Sequence, residues 1–423
     1  MILLSRSIVF AVLGLTLAAC AGPPEGVLAP VAETTVTSAG TSKVDMVVAT
    51  TRLPSDNPGN MYTGERGRPT LSFARITVSI PPETVRKVGE VQWPKRVPGN
   101  PQTDFVTTRA EMIDRDQALS WFSDRLKATP KRRVMVFIHG FNNRFEDAVF
   151  RFAQIIHDSN APVVPILFTW PSRASVLAYG YDRESTNYSR DALERLLGYI
   201  AADPDVGEIT VLAHSMGNWL TIEALRQMAI RDKRIAPKIQ NVILAAPDVD
   251  VDVFRTQLYD MGQPRPNITV FVSRDDRALS LSRRVWGSTD RLGAIDPDKE
   301  PYKTEFERDK ITVVDLTKLR TGDPLNHGKF AESPEVVQMI GQRLAEGQSI
   351  NDSRVGLGDH IIEMSAGAAA AVGTAAGVIV AAPVAVVDAN TRKNYDAQLK
   401  NLSHSVTGVT DEQKPLAPPP APE

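Results

Sequence analysis

The sequence predicts an α/β fold, a mostly parallel, doubly wound sheet flanked by helices, and three observations carry that prediction. Short apolar runs recur, helical segments separate most of them, and the runs are apolar throughout rather than alternating. A strand buried on both faces needs apolar side chains at every position, the signature of a parallel sheet covered by helices. The 423 residues are 42% hydrophobic and 23% charged, enough for one large domain or two ordinary ones.

In chain order, residues 45–51 (DMVVATT) and 71–80 (LSFARITVSI) read as strands. The second alternates with period two and is closed by Pro81 and Pro82. Residues 111–128 carry Leu119, Phe122 and Leu126 at helical spacing. Runs of the buried-strand type follow at 134–138, 163–168, 209–213, 242–246, 268–272 and 311–314. Helical patterns cover 146–158, 184–202, 216–231 and 334–346, and no internal repeat is visible. In such a sheet, function sits on the loops at the carboxyl ends of the strands.

The run ITVLA ends in His214-Ser215-Met216-Gly217, and a helix begins at once. Small residues two before and two after a serine, here Ala213 and Gly217, let strand, tight turn and helix crowd together. The turn lifts the hydroxyl off the sheet at a helix N-terminus, whose dipole favours developing negative charge. The run VMVFI ends in His139-Gly140-Phe141-Asn142, so the expected oxyanion donors are the backbone N–H groups of Phe141 and Met216. His139 and His214, next to strand ends, are expected to orient loops.

A serine needs a base oriented by an acid. Of six histidines only His327 falls after the last predicted strand and before the final helix. The acid is Asp276 or Asp275, which follow ITVFV, or Asp248 or Asp250, which follow VILAA; Asp276 is the first choice. Trp170, Tyr179 and Tyr181 lie on a loop that either overhangs the site to bind substrate or packs on the body. No long lid insertion interrupts the pattern.

These segments resemble a bacterial α/β-hydrolase family of unknown function, domain of unknown function 900. The likeness runs over VFIHGFNNRFEDAV, FTWPSRASVLAYGYDRES, TVLAHSMGN, VILAAPDVDVDVF, SRDDRALSLS and NHGKF, about residues 45–345 with the VVATTR strand. The resemblance implies the α/β-hydrolase fold and a serine esterase-like hydrolase. It also implies an acid in the D-x-A-L context, here Asp276-Arg277-Ala278-Leu279.

The ends read differently. Arg6 precedes an uncharged run over 8–19, signal-peptide architecture too short for a spanning helix of about 20 residues. Leu17-Ala18-Ala19-Cys20 resembles the lipobox of bacterial lipoproteins, which implies a lipidated Cys20 as mature N-terminus; with Ala21 next, the outer membrane facing the periplasm is the expected location. The expected organisation is a signal at 1–19, a flexible tether at 20–43, the hydrolase at 44–350, an Ala/Gly-rich helical segment at 351–400 and a Pro-rich tail at 401–423. Residues 366–387 carry no charge but are mostly Ala and Gly, so packing or membrane-surface association is favoured over spanning.

Composition excludes several classes. A net charge of −2, from 48 Lys+Arg against 50 Asp+Glu, gives no basic surface for nucleic acid. The single Cys excludes an intramolecular disulfide, a four-thiolate zinc site and an iron–sulfur cluster. No G-x-G-x-x-G follows a strand, and no cofactor or metal is expected. The expectation is therefore a lipid-anchored serine hydrolase for a small-molecule or lipid ester, with membrane contact through Cys20. The alternative is a non-catalytic envelope lipoprotein that uses the fold as a binding or structural module.

Overall fold

A computed structural model describes residues 23–285 and 289–346. The elements are α1 (Glu33–Ser38), β1 (Ser42–Thr50), β2 (Arg52–Pro54), β3 (Tyr62–Arg66), β4 (Ser72–Ile80), β5 (Val106–Ile113) and α2 (Arg115–Ala128). Then come β6 (Arg133–Ile138), α3 (Phe145–Ser159), β7 (Val164–Thr169), α4 (Tyr179–Ala202), β8 (Glu208–His214), α5 (Met216–Asp232) and β9 (Ile239–Ala245). The chain continues through α6 (Val251–Met261), β10 (Asn267–Val272), α7 (Arg277–Val285), α8 (Tyr302–Asp309), β11 (Thr312–Asp315), α9 (Lys329–Glu332) and α10 (Pro334–Glu346).

Among the described residues one sheet has nine strands in the order β11-β10-β9-β8-β6-β7-β1-β4-β5. Every pair from β11 to β1 is parallel, whereas β1–β4 and β4–β5 are antiparallel. The strands β6 and β7 are buried at every position, as their unbroken apolar runs require. One core, with Trp121, Leu193, Leu220 and Phe254, lies under α2, α4, α5 and α6. The other, with Phe150, Phe152 and Ile340, lies under α3 and α10. Each such fully buried aromatic contributes about 2–3 kcal/mol relative to exposure.

The structure amends the sequence reading in three places. Residues 111–113 close strand β5, and the helix starts only at Arg115, capped by Asp114, whose side chain accepts from Gln117 N–H. Its inner face is Ala118, Trp121, Phe122 and Leu126; Leu119 is 49% exposed and does not belong to it. Residues 23–43, expected as tether, pack on the body: Leu28 and Val36 are fully buried, and Val31 N–H donates to Thr107 O. No described helix is long and apolar enough to cross a membrane. Cys20, His360, His404, residues 366–387 and the Pro-rich tail lie outside the described residues.

Candidate active site

Strand β8 ends at His214 and α5 begins at Met216, so Ser215 alone makes the turn. Its backbone stands at φ 52°, ψ −124°, a combination that costs a non-glycine residue energy and persists only where its surroundings enforce it. Small neighbours make room. A Cβ on Gly217 would come within 2.3 Å of the His139 carbonyl oxygen, and one on Gly140 within 2.8 Å of Ser215 Cβ. Ser215 N–H donates to Ala245 O at 3.0 Å, and its carbonyl accepts from Asp248 N–H and from Asn218 Nδ2. Its hydroxyl has no hydrogen-bond partner among the described residues.

His327 lies in the turn between β11 and α9. Its Nδ1 is 2.7 Å from Asp276 Oδ2, and Asp276 is fully buried, with Oδ1 accepting from Leu279 N–H. Burial works to lower the His327 pKa, but the charge and hydrogen bond of Asp276, with Asp323 and Asp248 behind, raise it above the usual histidine value. The carboxylate also fixes the tautomer: with Nδ1 donating, Nε2 keeps its lone pair. The turn itself is held by Asp323, whose carboxylate accepts from the N–H groups of Leu325, His327 and Gly328 at 2.6–2.9 Å.

The other acid candidates are occupied elsewhere. Asp275, adjacent to Asp276, accepts from Lys329 Nζ at 2.7 Å and from Asn326 Nδ2. Asp248 accepts from the hydroxyls of Tyr179 and Ser282 at 2.5 and 2.6 Å. Asp250 caps α6 by accepting from the N–H groups of Asp252 and Val253.

The loop after β6 faces Ser215 through Gly140. Neither the Phe141 N–H nor the Met216 N–H has a hydrogen-bond partner among the described residues. His139 explains how the first is aimed. Its ring stacks on Trp170, with centroids 4.9 Å apart, and its Nε2 meets Trp170 N–H at 3.1 Å and Arg52 Nη2 at 3.3 Å. Two donors at Nε2 leave the proton on Nδ1, which faces the Gly140 carbonyl at 2.8 Å. That carbonyl and the Phe141 N–H share one planar peptide, so pinning one sets the direction of the other. Burial, and then the Arg52 charge, hold the His139 pKa well below the usual value; burial and His327 do the same to His214. Both stay neutral. His214 Nε2 faces the His327 carbonyl at 3.2 Å.

Sequence reasoning missed the groups beneath that loop. Arg52 is 1% exposed and also donates to the carbonyls of Thr63, Ser172 and Asn143. Burial brings its pKa down to about 10, against the pull of Glu146 and Asp182, so it stays charged near neutrality. Asp182 accepts from Ser172 Oγ at 2.5 Å and from Arg173 and Asn142 N–H. The VATTR segment was the only signal for Arg52, and a cation after an apolar run reads as surface.

The expected substrate loop divides. Trp170 is fully buried, its Nε1–H donating to His139 O, and it packs beneath the loop after β6 rather than overhanging a site. Tyr181 faces Arg173, Arg66 and Glu65, at the β3 hairpin. Only Tyr179, with its ring 5.0 Å from that of Phe141, stays beside the candidate site. Two cavities, about 550 Å³ by α6 and α8 and about 380 Å³ between α2 and α4, are lined by none of these residues.

A family model described as an alpha/beta hydrolase of unknown function, DUF900, matches residues 114–343. An uncharacterized protein of Nostoc sp. is 29% identical over 152 residues, 30% of this chain; the chain spans only 39% of that relative. Among solved structures, an esterase of Pyrococcus furiosus is 10% identical with a TM-score of 0.32, covering 77% of this chain and 97% of its own. A fungal esterase of Rhizomucor miehei is 11% identical with a TM-score of 0.31, covering 72% and 82%. At these values the two esterases say nothing of substrate.

Proposed function

The chain belongs to the DUF900 family of α/β hydrolases of unknown function, and from that premise we propose that it is a serine hydrolase acting on a carboxylic ester. The observation that carries the reading is the 2.7 Å bond from His327 to the buried Asp276, at the end of the sheet where Ser215 stands strained in its turn.

Ser215 Oγ attacks the acyl carbonyl as His327 Nε2 takes its proton, and Asp276 stabilises the imidazolium. The Phe141 and Met216 N–H groups receive the oxyanion, each contributing about 3 kcal/mol. The imidazolium then protonates the departing alkoxide, leaving an acyl-enzyme, which water activated by His327 hydrolyses. The free Ser215 hydroxyl fits this cycle, because catalytic hydrogen bonds are loose in free enzymes and tighten around substrate.

A fluorophosphonate probe tests the reading: wild type should label and Ser215→Ala should not. Equal labelling of the two would place the reactive nucleophile elsewhere, and no labelling of wild type would favour a non-catalytic module; either overturns the reading. With a chromogenic ester, Ser215→Ala should lower turnover by up to about 10⁶-fold if the three residues act as a unit.

The same proposal sets the enzyme at the outer membrane, anchored through a lipidated Cys20, with residues 366–387 packed on a protein surface or lying on the membrane. Support comes from the lipobox-like Leu17–Cys20 stretch and the uncharged but Ala- and Gly-dominated run. Cys20→Ser should release the protein from the membrane fraction; retention there would transfer the anchoring role to residues 366–387.

A further inference from the structure

One cation beside the site is unused by the chemistry above. Arg183 lies four residues into α4 from Tyr179, on the same helical face, and Tyr179 packs on Phe141. Its guanidinium carbon stands 3.2 Å from the ring centroid of Trp219, one turn into α5 from Ser215. The indole is itself fixed, Nε1–H donating to Asn187 Oδ1 at 3.1 Å. Both helices start at the carboxyl end of the sheet, and helical side chains lean toward their own N-terminus. The stacked pair therefore leans toward the end where Ser215 stands.

Stacking occupies the face of the guanidinium and leaves its N–H edge. Among the described residues that edge has neither an ion pair nor a hydrogen bond, although Arg183 is more than half buried. Asp248 and Glu223 are the carboxylates whose charge reaches Arg183: Tyr179 and Ser282 hold the two oxygens of Asp248, and Glu223 accepts from Gln257 Nε2 and lies 3.6 Å from Arg226. A second arginine, Arg291, is 7% exposed, with Nε 3.5 Å from Asp248 Oδ1 and no hydrogen bond at that nitrogen. Neither carboxylate is bonded to the Arg183 fork, and Arg291 already lies beside Asp248. The Asp248 charge acts on both Arg183 and His327, which ties the stacked pair to the reacting end.

We propose that Arg183, presented by Trp219, recognises an anionic group, a carboxylate or a phosphate, carried by the ester at a distance from its scissile bond. The proposal rests on the serine-hydrolase reading and names the substrate class for it. A planar guanidinium with an open N–H fork suits either anion, and stacking holds it in place before substrate arrives.

The test compares 4-nitrophenyl hexanoate with the 4-nitrophenyl monoester of adipic acid, equal in length and different in one terminal carboxylate. A 6-phosphonohexanoate ester distinguishes phosphate reading from carboxylate reading. Wild type should favour one of the anionic esters in kcat/KM by about tenfold, the scale of one charge-assisted hydrogen bond. Added salt should erode that preference. In Arg183→Gln the ratio should fall toward one, Arg183→Lys should restore part of it, and Trp219→Leu should weaken it with the arginine still present. Equal kcat/KM for all three esters in a wild type that labels with fluorophosphonate, or a preference that survives Arg183→Gln, overturns the proposal. Loss of both labelling and turnover would instead sink the serine-hydrolase reading on which it stands.

Discussion

The two loops that flank Ser215 are held by opposite means. The histidine turn, residues 323–328, is held by carboxylates: Asp323 within the turn gathers three N–H groups, Asp275 binds Asn326 and Lys329, and Asp276 binds His327 itself. The loop after β6, residues 139–143, which in the proposed mechanism carries an oxyanion donor, is held chiefly by a buried cation and an indole. Arg52 reaches it from the segment after β1, and Trp170 and Asp182 from the stretch after β7. One side carries negative charge that tunes a proton acceptor. The other fixes a peptide plane with an imidazole that stays neutral. The difference suits the proposed roles, since a base needs an adjustable pKa and an oxyanion donor needs only direction.

The largest break is expected on the carboxylate side. Asp276→Asn keeps the shape but presents an amide to Nδ1, so the tautomer that leaves Nε2 free loses its support. Turnover should fall by about 10⁴-fold. A change smaller than tenfold, measured on a purified variant that labels at the wild-type rate, would remove Asp276 from the mechanism.

Breaking the cation side should hurt stability as much as rate. Arg52→Met strips donors from three carbonyls and from His139 Nε2 inside the body. Leaving those acceptors unsatisfied costs about 3 kcal/mol or more in stability. His139, which holds the Gly140–Phe141 peptide, also loses one of the two donors that fix its ring, so kcat should fall by up to about 10²-fold, the scale of one oxyanion donor, with KM little changed. Arg52→Lys, which keeps the charge and part of the bonding, should recover some kcat. A variant that melts lower at wild-type kcat would make Arg52 a packing residue only.

How much of this was legible in the sequence depended on polarity and distance. The parallel strands announced themselves because burial on both faces leaves no room for polar residues. Strand β5 did not, because its exposed edge lets VTTRAEMI mix polar and apolar positions, and its end was absorbed into the helix that follows. Ser215 and His327 could be placed by chain order, since the fold puts each on a definite loop. Choosing between Asp275 and Asp276 is a matter of which way two adjacent side chains point: one turns to Lys329 and the other to His327. The D-x-A-L resemblance pointed the same way. Arg52 stayed hidden because its partners are backbone carbonyls and a histidine about 10 to 120 residues away, a pattern no local spacing displays.

The smallest effect is the most specific to the carboxylate side. The proposed cycle needs His327 neutral in the free enzyme, so kcat/KM should fall as pH drops through its raised pKa. The acid limb should therefore lie above the pH expected for an ordinary histidine near 6.5. Asp323 contributes to that elevation through its charge, while its oxygens hold the turn. In Asp323→Asn one oxygen can still accept N–H bonds, but the charge is gone, so the limb should move to lower pH. Stability should drop by only about 1 kcal/mol, as for a weakened cap. Arg52→Lys should leave the limb where it is, because the oxyanion side supplies direction and not charge to His327. A limb that moved with Arg52 and not with Asp323 would reverse the division of labour between the two loops.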